Sequence, residues 1–75
     1  MRALLKDARD QTLIAFEVEE ATYYPDRDTL DLYSSSGTCY AVCGLGGINA
    51  KSMIKDLFTS GKCDFSEFDA EPDDN

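Results

Sequence analysis

The sequence predicts an α+β domain in which an antiparallel meander of four or five strands is covered on one face by a single helix. Three observations predict this class. Apolar and polar residues alternate in the first half of the chain, turn-forming residues separate the alternating segments, and one later segment has helical periodicity. A chain of 75 residues has room for one hydrophobic core, so we expect a single domain over residues 1–68.

The first two segments predict paired strands joined to a third by a bend. Residues 2–8 contain good helix formers, but the strand that follows needs a pairing partner, so we favour a strand over a helix there. Within residues 12–20, every second residue from Ile14 to Val18 is apolar, as in a half-buried strand. The alternation then breaks, which indicates a bulge or bend before strand character resumes at residues 21–24.

The middle of the chain predicts a hairpin. Residues 25–28 form a turn, because proline presets φ and aspartate bonds nearby backbone amides. The second arm, Thr29–Tyr33, would direct its leucines to the core, and Asp31 with Tyr33 outward. Residues 34–37, three serines and a glycine, form the next turn.

The helix is the best-defined element of the sequence. After a strand over residues 38–43, Asn49 provides an N-cap for a helix over residues 50–60, and Gly61 fits a C-cap. The apolar face of this helix is formed by Met53, Ile54, Leu57 and Phe58. A short last strand is expected over residues 62–66, although Phe65 and Phe68, three residues apart, would also suit one helical turn.

Acidic residues are unevenly distributed along the chain, whose formal net charge is −8. Residues 1–63 contain nine acids and seven bases, whereas residues 64–75 contain six acids and no base. A run of like charges repels itself, and Pro72 interrupts regular structure. We therefore expect residues 69–75 to form a disordered acidic tail, which leaves the folded body close to neutral.

The composition also indicates the compartment. No apolar run approaches the roughly 20 residues of a membrane-spanning helix, and the N-terminus lacks the apolar stretch of a secretory signal. Three cysteines, an odd number, are typical of free thiols in a reducing compartment. We expect a cytoplasmic protein that binds no membrane.

The sequence contains no histidine, the residue that most often acts as general base and metal ligand. No motif places a base beside a serine or cysteine, so we expect no enzymatic activity, no catalytic residue and no cofactor. Cys39 and Cys43 would lie about 13 Å apart on one strand, too far to share a disulfide or a metal ion. A zinc site that included Cys63 would still need a fourth ligand, and only carboxylates remain. We interpret the cysteines as small buried residues and predict no metal site.

Two loops carry residues that can bind ions. The glycines of residues 44–47 precede a helix, which makes Gly46, Gly47 and Lys51 candidate anion-binding residues. The G-x-G-x-x-G spacing is absent, so we favour a plain turn that needs positive φ angles. The aspartates within residues 26–31 could bind a hard cation weakly, but they lack the EF-hand pattern and are interpreted as a solvated turn.

Acids and tyrosines are expected together on the outer sheet face and its edge. The candidate interaction residues are Glu17, Glu19, Tyr23, Tyr24, Asp31 and Tyr33. Tyrosine is enriched at protein interfaces, and acids attract basic partners. The alternative is a solvated face with one tyrosine of the Tyr23-Tyr24 pair in the core.

Three functional hypotheses follow. The leading one is a non-enzymatic protein-interaction module that presents a sheet face or edge to another protein or to a second copy of the chain. The second is an acidic mimic of nucleic acid that inhibits a basic protein, and the third is a small ligand-binding or phosphate-binding domain that uses residues 44–47. Direct binding to nucleic acid is disfavoured by the sign of the charge. Because the body is expected to be nearly neutral, the first hypothesis ranks above the second.

Overall fold

The computed structural model describes residues 1–73 of the chain. The elements within these residues are β1 (Arg2–Asp7), β2 (Leu13–Glu17), β3 (Glu20–Tyr24), β4 (Thr29–Tyr33), β5 (Cys39–Cys43), α1 (Gly47–Ser60) and β6 (Lys62–Asp73). The α+β class, the N-terminal strand, the hairpin and the single helix are confirmed. No helix within residues 1–73 is long and apolar enough to cross a membrane.

The strands form one mixed sheet in the order β2-β1-β6-β5-β4-β3. β1 and β6 are parallel, and the other neighbouring pairs are antiparallel. The predicted antiparallel meander of four or five strands is therefore wrong in strand number and in the position of the last strand. α1 returns the chain so that β6 enters the sheet between β1 and β5, a long-range pairing that local patterns do not encode.

The sheet is strongly curled, because its two edge strands are consecutive in the chain. Only Val18 and Glu19 separate β2 from β3. Six flat strands would place these edges about 24 Å apart, whereas this link spans at most about 11 Å. The Val18 N–H donates to the carbonyl of Met1 at 2.6 Å, and the Glu19 N–H donates to the carbonyl of Tyr33 at 2.7 Å. The predicted bend is thus confirmed as the corner where the chain passes from one edge of the sheet to the other.

The concave side of the sheet holds the core. Leu30 and Leu32 of β4 face it, as predicted, and Phe65 of β6 is fully buried beside them. The rings of Phe16 in β2 and Tyr40 in β5 meet edge to face, with centroids 5.1 Å apart across the curl. Each large side chain removed from water contributes roughly 1.5–3 kcal/mol. The core residues are Ala3, Leu5, Val18, Leu30, Leu32, Val42, Leu45, Ala50, Leu57, Phe65 and Ala70.

The helix starts earlier than predicted. Gly46 is the N-cap residue with φ 82°, and its carbonyl accepts the N–H of Ala50 at 2.9 Å. Asn49 lies inside the first turn, where its side-chain amide donates to the carbonyl of Leu45 at 3.0 Å. The prediction that Asn49 caps the helix is wrong, because the positive φ open to glycine lets the helix begin before it. The predicted C-cap at Gly61 is confirmed by its left-handed conformation.

The apolar face of the helix is also rotated from the prediction. Ala50 and Leu57 are its buried residues, and Met53 and Ile54 are partly buried against the core. Phe58, which was expected on the apolar face, is 51% exposed.

β6 continues through five residues of the predicted tail. Residues 70–73 pair with β5, and Asp69 and Ala70 pair with β1. The acids at 69 and 71 point outward while Ala70 is buried, so a half-buried strand outweighs the repulsion between like charges. Pro72 is tolerated because β1 has ended at that level, so its missing N–H removes no bond to β1. Residues 74 and 75 of the predicted tail lie outside the described residues.

Candidate functional site

The six predicted interaction residues do not form one patch. Tyr24, Asp31 and Tyr33 lie on the outer face of β3 and β4, which is the side away from the core. Tyr23 instead turns to the concave side and packs against the core, which corresponds to the alternative of one core tyrosine. Glu17 and Glu19 are exposed at the corner, where Glu17 accepts a hydrogen bond from Nε of Arg2 at 3.0 Å.

The central strand exposes a row of acidic side chains. We name Asp64, Glu67, Asp69 and Glu71 of β6 the acidic strip; all four are exposed. Asp69 contacts Nζ of Lys6 at 3.5 Å, and the other three form no ion pair with any of residues 1–73. These charges belong to an ordered strand in the middle of the sheet, not to a tail.

Next to the strip, three strands bring a thiol and two carboxylates together. Cys39 in β5 is paired with Tyr33 of β4 on one side and with Asp73 of β6 on the other. Asp31 lies two residues before Tyr33, so its side chain points to the same face. One ligand atom from each of Asp31, Cys39 and Asp73 lies within 4.8 Å of the others. We name these three residues the Asp-Cys-Asp cluster.

Burial distinguishes this cluster from ordinary surface acids. Asp31 is 7% exposed and Cys39 is 6% exposed, while Asp73 is partly buried. Asp31 lies on the outer face, as predicted, but it is buried there because residues of the neighbouring strands crowd around it. Within residues 1–73, its carboxylate accepts one side-chain hydrogen bond, from Oη of Tyr33 to Oδ2 at 3.2 Å, and forms no ion pair.

Burial and the nearby carboxylates keep the thiol of Cys39 and the hydroxyl of the neighbouring Tyr33 protonated. Burial, then the carboxylates of Asp31 and Asp73, raise the pKa of Cys39 to about 11. Burial, then Asp31, likewise raise the pKa of Tyr33 to about 12. At neutral pH the thiol is therefore a poor nucleophile. A thiol and two carboxylates are nevertheless metal ligands, and no other group of three such residues converges within residues 1–73.

The glycine loop is bonded to the protein itself. The N–H of Gly46 donates to Oδ1 of Asp28 at 2.9 Å, and Oη of Tyr23 donates to the same oxygen at 2.6 Å. A carboxylate of the chain thus occupies one of the amides that an added anion could use at the helix N-terminus. Gly47 and Lys51 are both exposed. Asp28, which has φ 48°, is a structural residue that joins the hairpin turn to the helix.

The outer face of α1 is basic, a feature that the sequence analysis missed. Lys51 and Lys55 are exposed one turn apart, Lys62 follows the helix, and none of the three forms an ion pair with any of residues 1–73. Ile48, which is 88% exposed, and Phe58 flank them. Plotting the exposed residues of the helix at 100° intervals would have revealed this stripe.

One depression of about 380 Å³ lies over the paired starts of β1 and β6. Its lining residues are Arg2, Leu4, Lys62, Cys63 and Asp64. Burial and then Asp56 raise the pKa of Cys63, so this thiol also stays protonated near neutral pH. The depression therefore contains no activated nucleophile.

Relatives give no further guide to the function. Comparison with known protein families, curated proteins and solved structures finds no match for this chain.

Proposed function

We propose that this protein is a non-enzymatic interaction module whose acidic strip binds a lysine-rich or arginine-rich segment of another protein. The observation that carries the proposal is the placement of Asp64, Glu67, Asp69 and Glu71 on the ordered central strand of the sheet. Fixed charges on a rigid strand produce a directional field, whereas charges on a disordered segment do not hold a position.

The surrounding charges support a basic partner. Three of the four strip acids lack an ion pair with the described residues, so a partner would compete with solvent and not with internal cations. Electrostatic complementarity of this kind raises association rates and falls with ionic strength.

The non-enzymatic part of the proposal is supported by the chemistry of the side chains. The chain contains no histidine, and the pKa values of Cys39 and Cys63 are raised by burial. Free thiols are in keeping with a reducing compartment, so we also propose a cytoplasmic location.

A charge-neutral strip tests the proposal. The variant Asp64→Asn, Glu67→Gln, Asp69→Asn, Glu71→Gln removes four exposed charges from β6. The matched control removes four exposed acids elsewhere through Glu19→Gln, Glu20→Gln, Asp26→Asn and Asp56→Asn. Binding of a synthetic lysine/arginine peptide is measured by calorimetry in low and high salt. We expect the strip variant to lose roughly tenfold or more in affinity and the control to lose much less. Equal losses in the two variants would contradict the proposal.

A sheet edge is the alternative contact surface for the same kind of function. Met1 and Val18 exchange hydrogen bonds, so by the antiparallel alternation the N–H of Ala15 points away from β1 to the open edge. Ala15→Pro removes that donor without removing a bond to β1. Loss of partner binding in this variant, with the strip variant unaffected, would favour the edge over the face.

A second candidate function is an inhibitor that mimics nucleic acid. The ordered strip favours it, because the mimic needs charges on a structured surface and not on a tail. The test is competition between this protein and duplex DNA for a basic DNA-binding protein. Displacement of the DNA that fails with the strip variant supports the mimic, and peptide binding without displacement supports the general interaction module.

Self-association and the glycine loop are addressed by two simpler measurements. The basic outer face of α1 complements the acidic strip of a second copy, so a dimer formed through them would dissociate in high salt, as sedimentation would show. A phosphate titration followed by amide shifts tests the loop. We expect little response at Gly46, because Asp28 already occupies its amide.

A further inference from the structure

The Asp-Cys-Asp cluster combines three features that a metal site requires. Its donors come from β4, β5 and β6, so three neighbouring strands hold them on one face of the sheet. Two of the three are more than nine-tenths buried. Their ligand atoms lie within 4.8 Å of one another, and the ligands of one tetrahedral zinc ion lie about 3.5 Å apart. Small rotations of the three side chains would bring their ligand atoms to that spacing.

The charge of the site is the second, independent observation. Asp31 is a buried carboxylate to which residues 1–73 supply no cation and only the single hydrogen bond from Tyr33. Buried carboxylates in proteins are paired with a cation or coordinate a metal. Asp73 adds a second carboxylate on the same face of the sheet as Cys39 and Asp31. Asp31 therefore receives no positive charge from residues 1–73 at the point where the donors converge.

We propose that Asp31, Cys39 and Asp73 bind a divalent transition-metal ion of the zinc class. The thiol selects against calcium and magnesium, which prefer oxygen ligands alone, and two carboxylates with one thiolate suit zinc. On binding, the S–H bond of Cys39 breaks, a metal–sulfur bond forms and the proton goes to solvent. Three protein ligands leave the fourth position to water.

Cobalt(II) is the probe, because it occupies zinc sites and gives a thiolate-to-metal charge-transfer band in the near ultraviolet. Titration of the full chain is expected to produce this band with saturation at one equivalent, and zinc is expected to abolish it. Cys39→Ser removes the sulfur ligand and the band. Asp31→Asn keeps the side-chain volume and weakens cobalt binding at least tenfold.

Matched controls separate the cluster from other thiols and acids. Cys43→Ser and Cys63→Ser remove the remaining free thiols, and Asp69→Asn removes an acid of the neighbouring strip. All three are expected to keep the band and the wild-type affinity. Circular dichroism confirms that each variant is folded. No band at millimolar cobalt, or a band that survives in Cys39→Ser, would overturn the proposal.

Discussion

Two buried carboxylates of this protein have opposite surroundings. Asp7, at the end of β1, is 4% exposed and receives three hydrogen bonds from Arg9: from Nε at 3.1 Å, from Nη2 at 2.8 Å and from the backbone N–H at 2.9 Å. Asp31, in β4, is 7% exposed and receives one hydrogen bond, from Tyr33 at 3.2 Å. Arg9 compensates the first buried charge, whereas no cation among residues 1–73 compensates the second.

The difference distinguishes a structural carboxylate, Asp7, from one that can still bind a cation, Asp31. The hydrogen bonds from Arg9 hold the pKa of Asp7 below its usual range, so this side chain is ionised and fully engaged in the turn after β1. Asp31 lies beside the hydroxyl of Tyr33, the thiol of Cys39 and the carboxylate of Asp73. These surroundings attract any cation that reaches Asp31. Substitutions at the two positions should therefore act on stability in opposite directions.

The largest effect is expected from Arg9→Met. This change keeps most of the aliphatic stem but leaves the carboxylate of Asp7 buried without its cation. We expect the urea midpoint to fall more than in any other variant of this comparison. Arg27→Met is the control, because Arg27 lies over the ring of Tyr24 at 4.5 Å on the surface and forms no ion pair with an acid of residues 1–73. A midpoint for Arg9→Met that is no lower than the control would show that Asp7 does not depend on Arg9.

The pH dependence of the free energy of unfolding tests the same Asp7–Arg9 pair. Because the folded pKa of Asp7 is lowered, its contribution is fully present above the unfolded value of about 3.9 and is lost as the pH falls through the folded pKa. The Asp7→Asn variant lacks this pH-dependent contribution, so its free energy of unfolding should fall less steeply than that of the wild type below about pH 5. Parallel curves of the free energy of unfolding against pH would contradict this assignment.

Asp31→Asn should have a smaller effect of the opposite sign. In buffer that contains a chelator, the amide keeps the volume and the hydrogen bond from Tyr33 but removes a buried charge, so we expect unchanged or higher stability. Added zinc should stabilise the wild type and not the variant, because a ligand that binds the folded state raises its apparent stability. A clear loss of stability in chelator would show that Asp31 is a structural carboxylate like Asp7.

The same contrast explains what the sequence could predict. The hairpin turn at residues 25–28, the bend after Val18 and the C-cap at Gly61 each depend on neighbouring residues, and each was predicted. The pairing of β1 with β6 joins Arg2 to Lys62, and nothing in local periodicity encodes it. The sequence predicts a short last strand followed by a disordered tail in place of β6. The acids from residue 69 onward are therefore predicted to be disordered, and the sheet is predicted to be antiparallel.

The Asp-Cys-Asp cluster could not be predicted from the sequence, because it also depends on long-range strand pairing. Asp31 and Cys39 are eight residues apart and Asp73 is thirty-four further along the chain, so no ligand spacing appears in the sequence. Spacing on one strand correctly separated Cys39 from Cys43, yet the partners of Cys39 lie on neighbouring strands. Asp28 was likewise interpreted as solvated, because its acceptor role depends on a loop eighteen residues away.

The smallest expected effect concerns the reactivity of the thiols, and it tests whether the surroundings of Asp31 are closed to solvent. Cys43 is exposed at the end of β5, whereas Cys39 is buried beside Asp31 with a pKa raised to about 11. At pH 8 about one Cys39 side chain in a thousand is a thiolate, so iodoacetamide should modify it at least roughly tenfold more slowly than Cys43. Mass spectrometry of digested protein measures both rates, and the Cys43→Ser variant provides the rate of Cys39 without competition. If Cys39 reacted as fast as Cys43, water would reach the cluster freely, Asp31 would be solvated like any surface acid, and its contrast with Asp7 would disappear.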